Sequence, residues 1–154
     1  MSARPFSLRP LTAAEQALGR EMFGAGLELA RVRILAIPVW RRPFVAGARL
    51  IIWPAAELPA DFGAADTELQ AVLVHEFTHV WQAQNGVTLL LAKLKAGDTA
   101  AAYAYDLSVD PDFMALNIEQ QAMVVEHAFL CSRGCRTPHP PAVYAEVSAA
   151  WRRG

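Results

Sequence analysis

The segment Leu73–Gln82 reads LVHEFTHVWQ and carries His75, Glu76 and His79 in the spacing His-Glu-x-x-His. On an α-helix, residues i and i+4 lie one above the other, so both imidazoles aim at one spot where a single divalent ion can sit. Glu76 stands about 100° round the same helix, close enough to handle a water there without being a ligand. Zinc takes imidazole nitrogens at roughly 2.0–2.1 Å and keeps one position open for water in catalytic sites. The ion makes that water more acidic, and a neighbouring carboxylate takes its proton as it attacks a carbonyl. This is the spacing of helical metallopeptidase sites. The competing reading is an exposed polar stripe. Leu69, Val72, Val74, Phe77 and Val80 speak against it, because a helix apolar almost all round is buried. Buried His and Glu need partners, and a metal supplies one to all three.

Two histidines alone hold zinc weakly, so a third protein ligand is required. A Gly at 82 and a His at 85 would place it just downstream, but the chain has Gln82 and Asn85. What remains are His127, His139 and the later carboxylates, namely Asp98, Asp106, Asp110, Asp112, Glu119, Glu126 and Glu146. Glu119 is the best candidate, because its neighbours in NIEQQAMVVE would otherwise bury an unpaired charge. An exposed helical glutamate is the alternative, and spacing leaves it open. Glu126 falls on the same face two turns on and could orient a ligand histidine. A tetrahedral intermediate also needs a donor besides the metal. Tyr103, Tyr105 and His127 are candidates, with Tyr105 the choice as a catalytic residue beside Glu76.

These residues must be held by elements that the sequence marks out. Thr12-Ala-Ala-Glu15 is a capping box that opens a helix over 13–24, closed by Gly24 and Gly26. The β-branched runs 32–37 and 49–53, bounded by prolines and Gly47, read as strands. The connection Val39–Phe44 between them is basic and aromatic, an exposed loop that could wall a cleft. Asp66 caps the motif helix, which runs from 67 to Asn85, with Asn85-Gly86 as its end. A short amphipathic piece covers 88–95, and 100–107 reads as strand or extended loop. Asp110-Pro111 starts a second long helix over 111–133, with Asp110 as cap and Pro111 at the first position. A last helix covers 142–152. The order indicates one α+β domain over 1–154.

Composition excludes several classes of function. A formal net charge of −1 gives no reason to expect nucleic acid or an anionic membrane as partner. No run of eighteen apolar residues is present to span a bilayer. The first residues, broken by Pro5 and Pro10, lack the apolar core of a secretory signal peptide. A chain made without one stays in the cytoplasm or is exported by a route that reads something else. Cys131 and Cys135 are not a C-x-x-C pair, and reduced thiols are the default. With His139 they could form a second metal site, against which stand the breaks at Gly134 and Pro138.

His75-Glu76-Phe-Thr-His79-Val-Trp-Gln82, followed by Asn117-Ile-Glu119-Gln-Gln-Ala122, resembles zincin-type metallopeptidase domains whose third ligand is a glutamate on a following helix. More closely, the chain resembles small bacterial Vgr-related proteins and metallopeptidase domains found with contractile injection systems. The resemblance implies a zincin-like fold, a small sheet over the motif helix with a second long helix behind the metal. It implies Zn2+ held by His75, His79 and Glu119 and Glu76 as general base; it provides no substrate, and a peptide or protein is the substrate expected from the chemistry of the site. It also implies a link to a type VI secretion apparatus, and places Arg49–Trp53 as the edge strand along the substrate cleft. The alternative to a zinc peptidase is a non-enzymatic cargo or adaptor domain of the secretion system with a structural zinc.

Overall fold

Side chains that bond free backbone N–H groups decide where the helices begin. In the computed structural model, which describes residues 3–109 and 111–153, Thr12 and Glu15 form the expected capping box at the start of α1 (Ala13–Phe23). Asp66 accepts from the Leu69 N–H and opens α2 (Thr67–Gln84), the motif helix. Helix α3 (Leu89–Ala96) is followed by α4 (Ala100–Tyr103), so the ambiguous stretch 100–107 is a short helix running into extended chain. The second long helix, α5 (Ile118–Ser132), begins seven residues later than the sequence suggested. Asn117 and Gln120 form a second capping box there, and their reciprocal bonds define a start that the Asp-Pro signal does not. Upstream, Asp112 caps only a 3-10 turn at Phe113–Ala115, and Asp110 lies outside the described residues. Helix α6 (Pro141–Val147) is followed by a 3-10 turn at Ser148–Ala150 where one continuous helix was expected.

Four strands form one mixed sheet: β1 (Leu8–Pro10), β2 (Arg33–Ile37), β3 (Phe44–Ala46) and β4 (Leu50–Pro54), in the order β1-β2-β4-β3. β2 and β4 run parallel, with Ile34 opposite Ile51, and the outer pairs are antiparallel. β3 and β4 form a hairpin whose connection begins at Gly47, where φ is +68° and only glycine sits without strain. The expectation that 49–53 is the edge strand is therefore corrected. β4 is interior, and its run of Ile51, Ile52 and Trp53, buried on both faces, is the composition of an inner strand. The edge on this side is β3, which begins at Phe44, the last residue of the segment that the sequence marked as a basic and aromatic connection.

The fold is a mixed α+β arrangement of this sheet with six helices. α2 packs along α5, and Leu73, Phe77 and Val80 join Val125 and Phe129 in one buried cluster that reaches the sheet at Ile34 and Ile51. Trp151 closes the cluster against Phe113, with ring centroids 4.9 Å apart, and donates its indole N–H to the Met22 carbonyl. Glu15 is wholly buried at the other end, where it accepts from Arg9 at 2.7 and 2.8 Å, Thr12 N at 2.8 Å and Phe62 N at 3.1 Å. One carboxylate thus ties β1, α1 and the turn before α2. No helix among the described residues is long and apolar enough to cross a membrane.

Candidate metal centre

His75 and His79 stand one turn apart on α2, with ring centroids 5.0 Å apart and planes at 76°. Glu119, in the first turn of α5, places Oε2 3.4 Å from His75 Nε2 and 3.3 Å from His79 Nε2. Ligand atoms of the three residues lie within 4.8 Å of one another, and among the described residues this is the group of His, Cys, Asp or Glu so arranged. The packing of α2 on α5 brings them together, which is why residues forty positions apart share one site. Cys131 and Cys135 are free thiols, and His139 Nε2 accepts the Leu107 N–H at 3.2 Å instead of meeting them.

The outward ring nitrogens are also held. His75 Nδ1 lies 2.8 Å from Glu126 Oε2, a carboxylate that can only accept, so the proton is on Nδ1. His79 Nδ1 lies 2.8 Å from Gln82 Oε1. The amide orientation of Gln82 follows from its other contacts, because its nitrogen donates to the Ile118 carbonyl and to Gln121 Oε1, each at 2.9 Å. Gln121 is in turn oriented by donating to the Phe113 carbonyl at 3.2 Å. A relay anchored on two backbone carbonyls therefore presents an amide oxygen to His79, which must donate from Nδ1 and leave Nε2 facing Glu119. Gln82 and Gln121 carry no motif, and the sequence reading missed them. The available signal was a polar side chain three residues beyond a ligand histidine in a helix that must be buried.

The electrostatics favour a cation between these groups. Burial works against the Glu119 charge, but hydrogen bonds from His75 and His79 outweigh it and hold the carboxyl well below the usual range. Burial likewise depresses His75, and the carboxylates of Glu119 and Glu126 outweigh that and lift it to about 10. The proton so favoured on Nε2 sits where a divalent ion would. Glu76 is buried beside the two histidines; burial pushes its carboxyl up, and Oε2 has no hydrogen-bond partner among the described residues. An unpartnered buried carboxylate oxygen is costly. Two imidazole nitrogens and a carboxylate are a donor set suited to zinc, so the residues present fit the ion.

These groups floor a cleft of about 610 Å³ walled by Trp40, Phe44, Val45, Val72 and Ile118. Lys93, on α3, reaches in with Nζ 3.4 Å from Glu119 Oε1, the oxygen turned away from the histidines. Tyr103 lines the cleft and bonds Asp98, and burial pushes its hydroxyl up to about 12. The structure does not bring Tyr105 to the cleft. Its hydroxyl lies 2.6 Å from His127 Nδ1 and 2.9 Å from the Tyr144 hydroxyl, tying the segment after α4 to α5 and α6.

No family model matches the chain. A solved structure does, and it belongs to the class of spike-protein effector domains: the two superimpose with a TM-score of 0.71 at 27% identity, covering 94% of this chain and 84% of that one. It is the effector domain of VgrG2b from Pseudomonas aeruginosa. In sequence, the chain is 31% identical over 134 residues to the type VI secretion system spike protein VgrG2b of the same organism. That stretch is 79% of this chain and 13% of the spike protein, so the chain corresponds to a small part of its relative. The resemblance to Vgr proteins read from two short segments thus extends over most of the chain.

Proposed function

We propose that the chain is a zinc-dependent metallohydrolase, a peptidase, folded over 1–154 as one zincin-like domain and serving as a type VI secretion effector. His75, His79 and Glu119 hold the ion, which when bound supplies Lewis-acid activation of water and of a substrate carbonyl. Glu76 is the general base. Burial raises its affinity for a proton, and its Oε2 has no hydrogen-bond partner among the described residues, which suits it to take one from an attacking water. Glu126 and the Gln82–Gln121 relay hold the histidines in the tautomer that ligation needs. Lys93 offers a hydrogen-bond donor to a developing oxyanion, a role the sequence reading gave to Tyr105, while the Tyr103 hydroxyl is committed to Asp98. β3 presents a free strand edge beside the cleft along which an extended peptide can add. The likeness to the spike protein supports delivery by the secretion apparatus, without a signal peptide.

One observation carries this reading: three ligand atoms converge beside Glu76, whose buried Oε2 has no hydrogen-bond partner among the described residues. A structural zinc site has no use for Glu76. Metal analysis of the purified chain is expected to find about one zinc per molecule and much less in Glu119→Ala. Glu76→Gln should keep the metal and lose cleavage of a peptide library. Wild type that takes up no zinc would sink the proposal, and full zinc occupancy with no cleavage of any peptide or protein would count against the peptidase.

A further inference from the structure

Aliphatic side chains are exposed on both sides of the cleft mouth. α3 has no buried residue, and Leu90, Leu91 and Leu94 are 72, 64 and 74% exposed. Leu89 and Lys93 line the cleft, so Leu90 and Leu94, one step further round the helix, form the adjoining stripe on its rim. Across the opening, the turn after β2 lifts out Val39, fully exposed, and Trp40, half exposed. Val39 has φ +60°, a costly conformation for a β-branched residue, so neither burial nor backbone ease accounts for its position. Arg42 on this turn approaches Asp98, beyond α3, at 3.8 Å, so both tips flank one opening.

The exposed charge around these tips leans positive. Arg41, Arg42, Lys93 and Lys95 are exposed, with Arg42 near Asp98 and Lys93 reaching down to Glu119, in a chain whose formal net charge is −1. Glu119 lies deeper, at 2% exposure. The matching partner is anionic and offers apolar depth to several separated aliphatic tips at once. An anionic lipid bilayer has both properties. An exposed leucine stripe beside lysines, with a tryptophan near headgroup level, is how interfacial helices sit in such a surface. The overall charge gives no attraction to that surface; the local arrangement does.

We propose that this rim, α3 together with the Val39–Trp40 turn, docks the chain peripherally on an anionic bilayer, with the cleft mouth at the lipid surface. The proposal needs no metal and is independent of the hydrolase reading. Its test uses the metal-free chain with vesicles of phosphatidylcholine, alone or with about one-third phosphatidylserine. Co-sedimentation should show at least about tenfold stronger partition onto the anionic vesicles, weakened by salt. Trp53, Trp81 and Trp151 are 1, 7 and 1% exposed, so quenching by brominated lipid reports on Trp40. Quenching should appear on binding and vanish in Trp40→Phe. Leu90→Glu with Leu94→Glu should cut partition by about tenfold or more, and Val39→Glu, at a fully exposed site, provides a second variant. Circular dichroism verifies that each variant folds. Failure to bind anionic vesicles, or unchanged binding by folded variants, overturns the proposal. So does self-association without lipid that the same substitutions abolish, which would assign the leucines to a second copy.

Discussion

Gln82 shows how much of a site is carried by residues that do no chemistry. Its amide accepts from His79 and donates to Ile118 and Gln121 with no exposure to solvent. Gln82→Leu leaves the His79 Nδ1–H and the Gln121 oxygen buried and unpaired. Zinc affinity should fall by about 10- to 100-fold, and stability by about 1–3 kcal/mol. Chelator competition and thermal melts measure the two separately, and an affinity that stays put would show that the tautomer is set by something else. His75, Glu76 and His79 could be read from the sequence because one helix positions them all. Glu119 could be argued from the cost of burying it and from the resemblance of its segment, not from spacing. Lys93 and the relay depend on how α2, α3 and α5 meet, which no local pattern encodes.

At the level of elements, the capping box of α5 is the feature closest to the metal centre. Glu119 is the second residue of that helix, where the N-terminal end of the dipole favours a carboxylate. Asn117→Ala should cost about 1 kcal/mol and loosen the turn that presents Glu119, so zinc binding should weaken along with the melting temperature. A variant that loses stability but binds zinc as tightly would separate the cap from the site. Helices α1 and α2 were legible because their caps lie within three residues of the groups they satisfy. β1 and β3 were not, since each is three residues long and exists through pairing with a distant strand. β4 had the right composition, but its interior place depends on β3.

Across the whole molecule, Tyr105, His127 and Tyr144 lock the C-terminal part of the chain to α5. Burial holds His127 below its ordinary pKa, so the native state favours the neutral ring that bonds the Tyr105 hydroxyl. The unfolded chain takes up a proton near pH 6.5, and the native one only at lower pH. The stability this group contributes is therefore present above pH 6.5 and lost as pH falls from there through the native pKa. Thermal melts from pH 7 to pH 5 should show a steeper fall for wild type than for His127→Asn. Parallel slopes would remove His127 from the account.

The walls of the candidate metal centre also carry charge that bears on the valence of an occupant. Glu76, Glu119 and Glu126 bring three negative charges to one partly enclosed space, and Lys93 returns one positive charge. Arg42 and Asp98, also on its walls, offset one another; once a bound ion displaces the protons from His75 and Glu76, two negative charges are left uncompensated. A sodium ion leaves a deficit there and a trivalent ion an excess, each expensive where water is scarce. A doubly charged ion would cancel that remainder, and coordination geometry would then select among such ions.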